Sequence, residues 1–140
     1  MSEELVLVDT SAWLSVAHPE HGREFQPIIA SLQAANRVAT NWLIRAELLT
    51  GAKDETDYRR LDDELCGLHH LALHDEVWSQ VARLRFQLKR RGCLLPLVDV
   101  SIASCAMVYG CQLLHLDRHF DLIARHAPLK VCRAARSRAT

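Results

Sequence analysis

Residues 5–8, Leu-Val-Leu-Val, place four large aliphatic side chains in a row, and the run stops on Asp9 followed by Thr10 and Ser11. A continuous apolar run of this length reads as a strand buried on both faces, the pattern of a parallel sheet covered by helices rather than of a strand with one wet face. Asp9 then stands at the carboxyl end of a core strand, the edge at which open α/β sheets collect ligands and chemistry. Asp9 or Ser11 is also chemically suited to cap the helix that follows, so the residue alone carries two readings.

The remaining chain repeats the alternation. Short strands are expected at 37–39, 69–73, 111–116 and 129–132, and helical patterns at 11–17, 24–35, 42–50, 54–68, 74–91, 94–110 and 118–124. Five strands interleaved with helices predict an α/β fold with a mainly parallel five-stranded sheet. The 140 residues have the size of one domain, assigned to 1–132, with 133–140 as a basic, small-residue tail expected to fray. Seventeen basic and seventeen acidic residues cancel, so any site for a polyanion must be local. Lys89, Arg90 and Arg91 before Gly92 fit the end of a helix better than an RNA site, because cations and glycine are favoured there. The charged residues of 54–68 read as a solvated face. The five cysteines lack any C-x-x-C spacing and mostly sit in apolar runs, as small hydrophobes of a reducing compartment do. No apolar run has the length of a membrane span, and a cytoplasmic protein is expected.

Three more acids stand where apolar residues belong. Glu47 shares a helical face with Leu43, Ile44 and Leu48; Asp99 shares one with Ile102, Ala103 and Ala106; Asp117 ends the aliphatic run 111–116. Unpartnered buried carboxylates are costly, and converging ones repel unless a cation joins them. A set of carboxylates suits a hard divalent ion, magnesium or manganese, and such sites commonly serve phosphate chemistry. Among the eight histidines only His70 with His74 and His115 with His119 stand four apart, and each pair straddles a predicted strand and the helix after it instead of sharing one helix face, which argues against zinc. A haloacid-dehalogenase-type phosphatase needs a second acid two residues after the first, where this chain has Ser11, and a receiver domain needs adjacent N-terminal acids and a later lysine. Arg45, Arg118 and His119 lie beside the acid blocks as candidate phosphate contacts or ion-pair partners, and Trp42 as a base-stacking or packing residue.

At 7–12, 40–51, 97–103 and 114–121 the chain resembles the PIN-domain nucleases, and most of all the VapC-type ribonuclease toxins of toxin–antitoxin pairs. The blocks stand in the family's order and span nearly the whole chain. The resemblance implies an α/β/α sandwich with one acidic pocket that binds Mg2+ or Mn2+. Asp9 and Asp99 match the main metal-binding acids, Glu47 an acid that helps bind metal or orient water, and Asp117 a fourth acid that often acts through water. His115 stands where many relatives have Thr or Ser, and either touches phosphate or leaves the hydroxyl's role unfilled. Thr10 and Ser11 either hold water or cap the helix; if Asp9 belongs to the pocket, the cap is expected to pass to one of them. The implied reaction is RNA hydrolysis by a metal-activated water, with an antitoxin and a second copy of the chain as partners. The alternative is a non-catalytic PIN-fold module that binds RNA or protein.

Overall fold

The computed structural model describes residues 4–132; the tail assigned to 133–140 lies outside the described residues. Five strands form one all-parallel sheet, β1 (Val6–Val8), β2 (Val38–Thr40), β3 (His69–His70), β4 (Gln112–Leu114) and β5 (Lys130–Val131), in the order β3-β2-β1-β4-β5. β1 is central, with Leu7 paired to Ala39 on one side and to Leu113 on the other. Its side chains alternate between two cores. Leu7 joins a cluster with Ala39, Leu113, Val77, Ile102 and Phe120, while Val6 and Val8 join Phe25, Ile29 and Leu32 on the opposite face. The aliphatic run at 5–8 is therefore continuous because both faces of the strand are covered.

The helices are α1 (Thr10–Ser15), α2 (Gly22–Ala34), α3 (Trp42–Thr50), α4 (Glu55–Cys66), α5 (Asp75–Arg90), α6 (Leu97–Tyr109) and α7 (Arg118–His126). The first face belongs mainly to α5, α6 and α7, and the second to α1 and α2. α6 lies deepest, buried continuously from Val100 to Ala106, and its small residues let it sit close to the sheet. It stops at Gly110, whose φ of 69° is the left-handed conformation that glycine adopts without a Cβ penalty.

Two expected strands are much shorter than their apolar runs, and the other three differ by one residue at one or both ends. The run at 69–73 pairs only at His69 and His70, and the run at 111–116 pairs only over Gln112–Leu114. The second departure has a local cause. The Leu116 N–H bonds the Ser11 hydroxyl at 2.9 Å instead of a neighbouring strand, so the chain leaves the ladder and turns toward the β1–α1 junction.

Candidate active site

Asp9 caps α1: its carboxylate accepts from the Ser11 N–H at 2.9 Å and from the Ser11 hydroxyl at 2.6 Å. The expectation that Thr10 or Ser11 would take over the cap is corrected here, because an aspartate in extended conformation after a strand can cap with its own side chain and still face the sheet edge. Asp9 is 5% exposed. Burial pushes its carboxyl above the usual aspartate range; the two Ser11 bonds pull it down, and the charges of Glu47 and Asp99 push it up again. Asp117 repeats the arrangement at the end of β4, capping α7 by accepting from the His119 N–H at 2.9 Å.

Glu47 is not on the core face of α3. The buried residues of that helix are Ile44, Arg45 and Leu49, and Glu47 is exposed. The stripe expected from Leu43, Ile44, Glu47 and Leu48 is rotated because Arg45 takes an inward place. Glu47 nevertheless reaches the sheet edge through Thr10, whose hydroxyl donates to Oε1 at 2.6 Å. Asp99, in the first turn of α6, is partly buried, and its Oδ2 lies 2.7 Å from His119 Nδ1. The same nitrogen is 3.5 Å from Asp117 Oδ1, and one ligand atom from each of Asp99, Asp117 and His119 falls within 4.8 Å of the others. The acids thus form two linked pairs, Asp9 with Glu47 around Thr10 and Asp99 with Asp117 around His119. The Ser11 hydroxyl, bonded to Asp9 and to Leu116 N, ties the two loops together.

Of the two readings of His119, phosphate contact or ion-pair partner, the structure shows the second, with the ring between Asp99 and Asp117. A signal exists in retrospect: Asp117 and His119 have the same spacing as Asp9 and Ser11, a strand-ending acid and a polar residue two positions on. His115 is almost wholly buried, with its ring 5.1 Å from Phe120, and Nδ1 accepts from the Asp117 N–H at 3.1 Å. It shapes the loop that carries Asp117 rather than facing a phosphate in solvent. Arg118 is exposed at the start of α7. Arg45 is buried and lies at 3.1 Å from Asp62 of α4, with its guanidinium 3.9 Å from the Trp42 ring centre, which is the ion-pair alternative and not the phosphate contact. Asp62, read as part of a solvated face, is thereby a structural partner. All five cysteines are free; burial pushes the Cys105 thiol up to about 11 and leaves it unreactive. Beside the Asp99, Asp117 and His119 grouping, one grouping with two histidines occurs among the described residues, His18, Glu20 and His21, mostly exposed and at i, i+3 spacing.

Two strand ends and two helices thus bring four carboxylates to the carboxyl edge of one parallel sheet in an α/β domain. Residues 6–126 match the PIN domain, and the chain belongs to that family. Ribonuclease VapC18 of Mycobacterium tuberculosis is 31% identical over 121 residues, covering 84% of this chain and 85% of its own length. Ribonuclease VapC11 of the same species is 32% identical over 130 residues, covering 86% and 92%. Among solved structures, VapBC2 from Rickettsia felis, bound to a promoter DNA fragment, superposes with a TM-score of 0.75 at 22% identity over 91% of this chain and 97% of its own. FitAcB from Neisseria gonorrhoeae does so at 0.74 and 20%, over 91% and 96%. The expected α/β/α sandwich is the fold these neighbours share.

Proposed function

We propose that this chain is a divalent-metal-dependent endoribonuclease, the toxin of a VapBC-type pair, which hydrolyses RNA phosphodiester bonds in the cytoplasm. The observation that carries the reading is the convergence of Asp9, Glu47, Asp99 and Asp117 on one sheet edge, joined through Thr10, Ser11 and His119. The names of the curated relatives, ribonucleases at 31–32% identity, support the activity. The solved neighbours, complexes of toxin and antitoxin, support an antitoxin as partner. No helix among the described residues is long and apolar enough to cross a membrane.

The donor set fits magnesium or manganese: hard oxygens predominate, and Asp9, ionised against burial and against two neighbouring acids, gains most from a cation beside it. Asp9, Asp99 and Asp117 would hold the ion, with Glu47 beside them. When bound, the ion supplies Lewis-acid activation of water and offsets charge on the phosphoryl oxygens. The protein's own parts have separable duties. Ser11 fixes the Asp9 carboxylate and the Leu116 loop in one geometry, Thr10 fixes Glu47 to orient water, and Arg118 contacts a phosphate from the exposed start of α7. His119 Nδ1, 2.7 Å from Asp99 Oδ2, holds that carboxylate in place. The antitoxin is expected to insert a basic side chain among these acids, and the toxin to form a homodimer.

The test is incubation of the purified chain with RNA in Mg2+ or Mn2+, with and without excess EDTA. Cleavage that EDTA abolishes supports the nuclease; RNA binding with no cleavage in either metal supports the non-catalytic module instead.

A further inference from the structure

Beside the acid pocket lies a cavity of about 430 Å3 whose lining includes Leu95, Arg118, His119, Leu122 and Arg125, so it opens directly from the imidazole that touches Asp99. A second cavity, of about 460 Å3, is lined by Arg83, Phe86, Gln87, Arg90, Arg91 and His126. The two meet on α7: Arg125 belongs to one and His126 to the other, and His126 Nδ1 is 3.3 Å from Arg91 Nη1 across the groove to α5. Five arginines and one acid, Asp121, line the pair of cavities, a local positive strip on a chain whose total charge is zero. Phe86 is 55% exposed in the second cavity, the one farther from the acids, with the Arg90 guanidinium 5.7 Å from its ring centre.

The helix dipole accounts for cations in the last turn of α5. It does not account for an exposed aromatic ring one turn earlier, nor for Arg118 and Arg125 on the facing helix. Cations that track a backbone, interleaved with an exposed aromatic face, are how proteins hold single-stranded nucleic acid. Resting on the ribonuclease reading above, we propose that this furrow is the docking track for single-stranded RNA leading to the acid pocket, with Arg118 and Arg125 on phosphates next to the cut. Phe86 stacks a base at the far end, between phosphates held by Arg83 and the Arg90–Arg91 pair. Arg83 and Arg91 are about 12 Å apart along the helix, at ~1.5 Å per residue, so the far end spans more than one phosphate.

The test is fluorescence anisotropy of the full chain with a labelled single-stranded RNA of about twelve nucleotides in EDTA, repeated over a salt series. Phe86→Ala is expected to weaken binding roughly tenfold, within the range of a lost base–aromatic stack. The double substitution Arg90→Gln, Arg91→Gln is expected to weaken it further at low salt and to flatten the salt slope by about 1.4, at ~0.7 for each lost phosphate contact. Arg59→Gln, on exposed α4, is the control expected to match the wild type in both. Wild-type affinity and slope in both furrow variants would overturn the track. So would a Phe86→Ala variant that changes oligomeric state by light scattering while its RNA affinity stays constant, since Phe86 also borders an apolar hollow with Leu94 and Leu97 and would then serve a protein contact. Failure of the wild type to cut RNA with metal would overturn the nuclease reading and leave the anisotropy result to decide the track by itself.

Discussion

His119 Nδ1 lies 2.7 Å from Asp99 Oδ2 on α6 and 3.5 Å from Asp117 Oδ1 at the cap of α7, so a single imidazole stands between two acids from different helices. In the absence of metal it is the only cationic or proton-donating side chain that the described residues place in ion-pair range of either acid. His119→Ala should therefore cost about 1 kcal/mol of stability in EDTA, for a partly exposed hydrogen bond to a charged group, and lower the melting temperature by about 3 °C. The same substitution should tighten Mg2+ binding, because the ion no longer competes with the imidazole for Asp99. Calorimetric titration checks this; weaker Mg2+ binding would make His119 a ligand instead of a competitor.

Asp9 is an aspartate whose carboxyl is shifted upward, chiefly by burial, so the folded chain holds its proton more tightly than the unfolded chain does. That contribution to stability is complete below the unfolded pKa and is lost as pH rises through the folded one. In metal-free buffer Asp9→Asn should therefore melt higher than the wild type at pH 7, by about 3 °C for each ~1 kcal/mol recovered, with the gap closing as pH falls through the acid range. Adding Mg2+ should reverse the order by stabilising the wild type alone. Melting curves at several pH values, with and without Mg2+, read both effects.

The Ser11 hydroxyl donates to Asp9 and accepts from Leu116 N, and the Thr10 hydroxyl donates to Glu47. Ser11→Ala removes two bonds at the junction of two loops and should cost about 1–2 kcal/mol while lowering the cleavage rate. Thr10→Val keeps the shape, frees Glu47 and should lower the rate about tenfold with little change in melting temperature. Single-turnover cleavage beside thermal melts separates the two; equal rate losses matched by equal stability losses would assign both hydroxyls to structure.

Much of this could be read from residues in a row. The buried central strand was legible because both faces of β1 are covered, which leaves no polar position in 5–8. α3 was legible in extent, since the helical pattern at 42–50 coincides with the helix Trp42–Thr50. The rotation of α3 was not: Arg45 is charged, and only its partners Asp62 and Trp42, seventeen residues ahead and three behind, make an inward position tolerable. Glu47 was for that reason placed inward when it reaches the site from the exposed side through Thr10. The ion-pair alternative for His119 holds, but which acids it meets, and the place of His115 in its loop, depend on an approach between loops and not on a sequence period. The dual task of Asp9, cap and pocket wall together, was treated as a choice when one carboxylate does both.

The buried guanidinium of Arg45 has a direct test. Arg45→Ala strips Trp42 of its stacked partner and leaves Asp62 unpaired, and Asp62 is 36% exposed, so the cost should be about 1–2 kcal/mol rather than that of a fully buried pair. RNA affinity should not change beyond what the lost stability explains. A selective loss of RNA binding with the melting temperature intact would return Arg45 to the phosphate contacts.

If the acids at the sheet edge form one metal pocket that cuts RNA, losing Asp99 must cost both metal and cleavage. The most direct measurement is Asp99→Asn followed in parallel by RNA cleavage, Mn2+ titration and circular dichroism. The account predicts a folded variant with at least about a hundredfold slower cleavage and clearly weaker metal binding, as loss of a principal metal-site acid requires. A folded variant that cleaves RNA and binds Mn2+ like the wild type would contradict it.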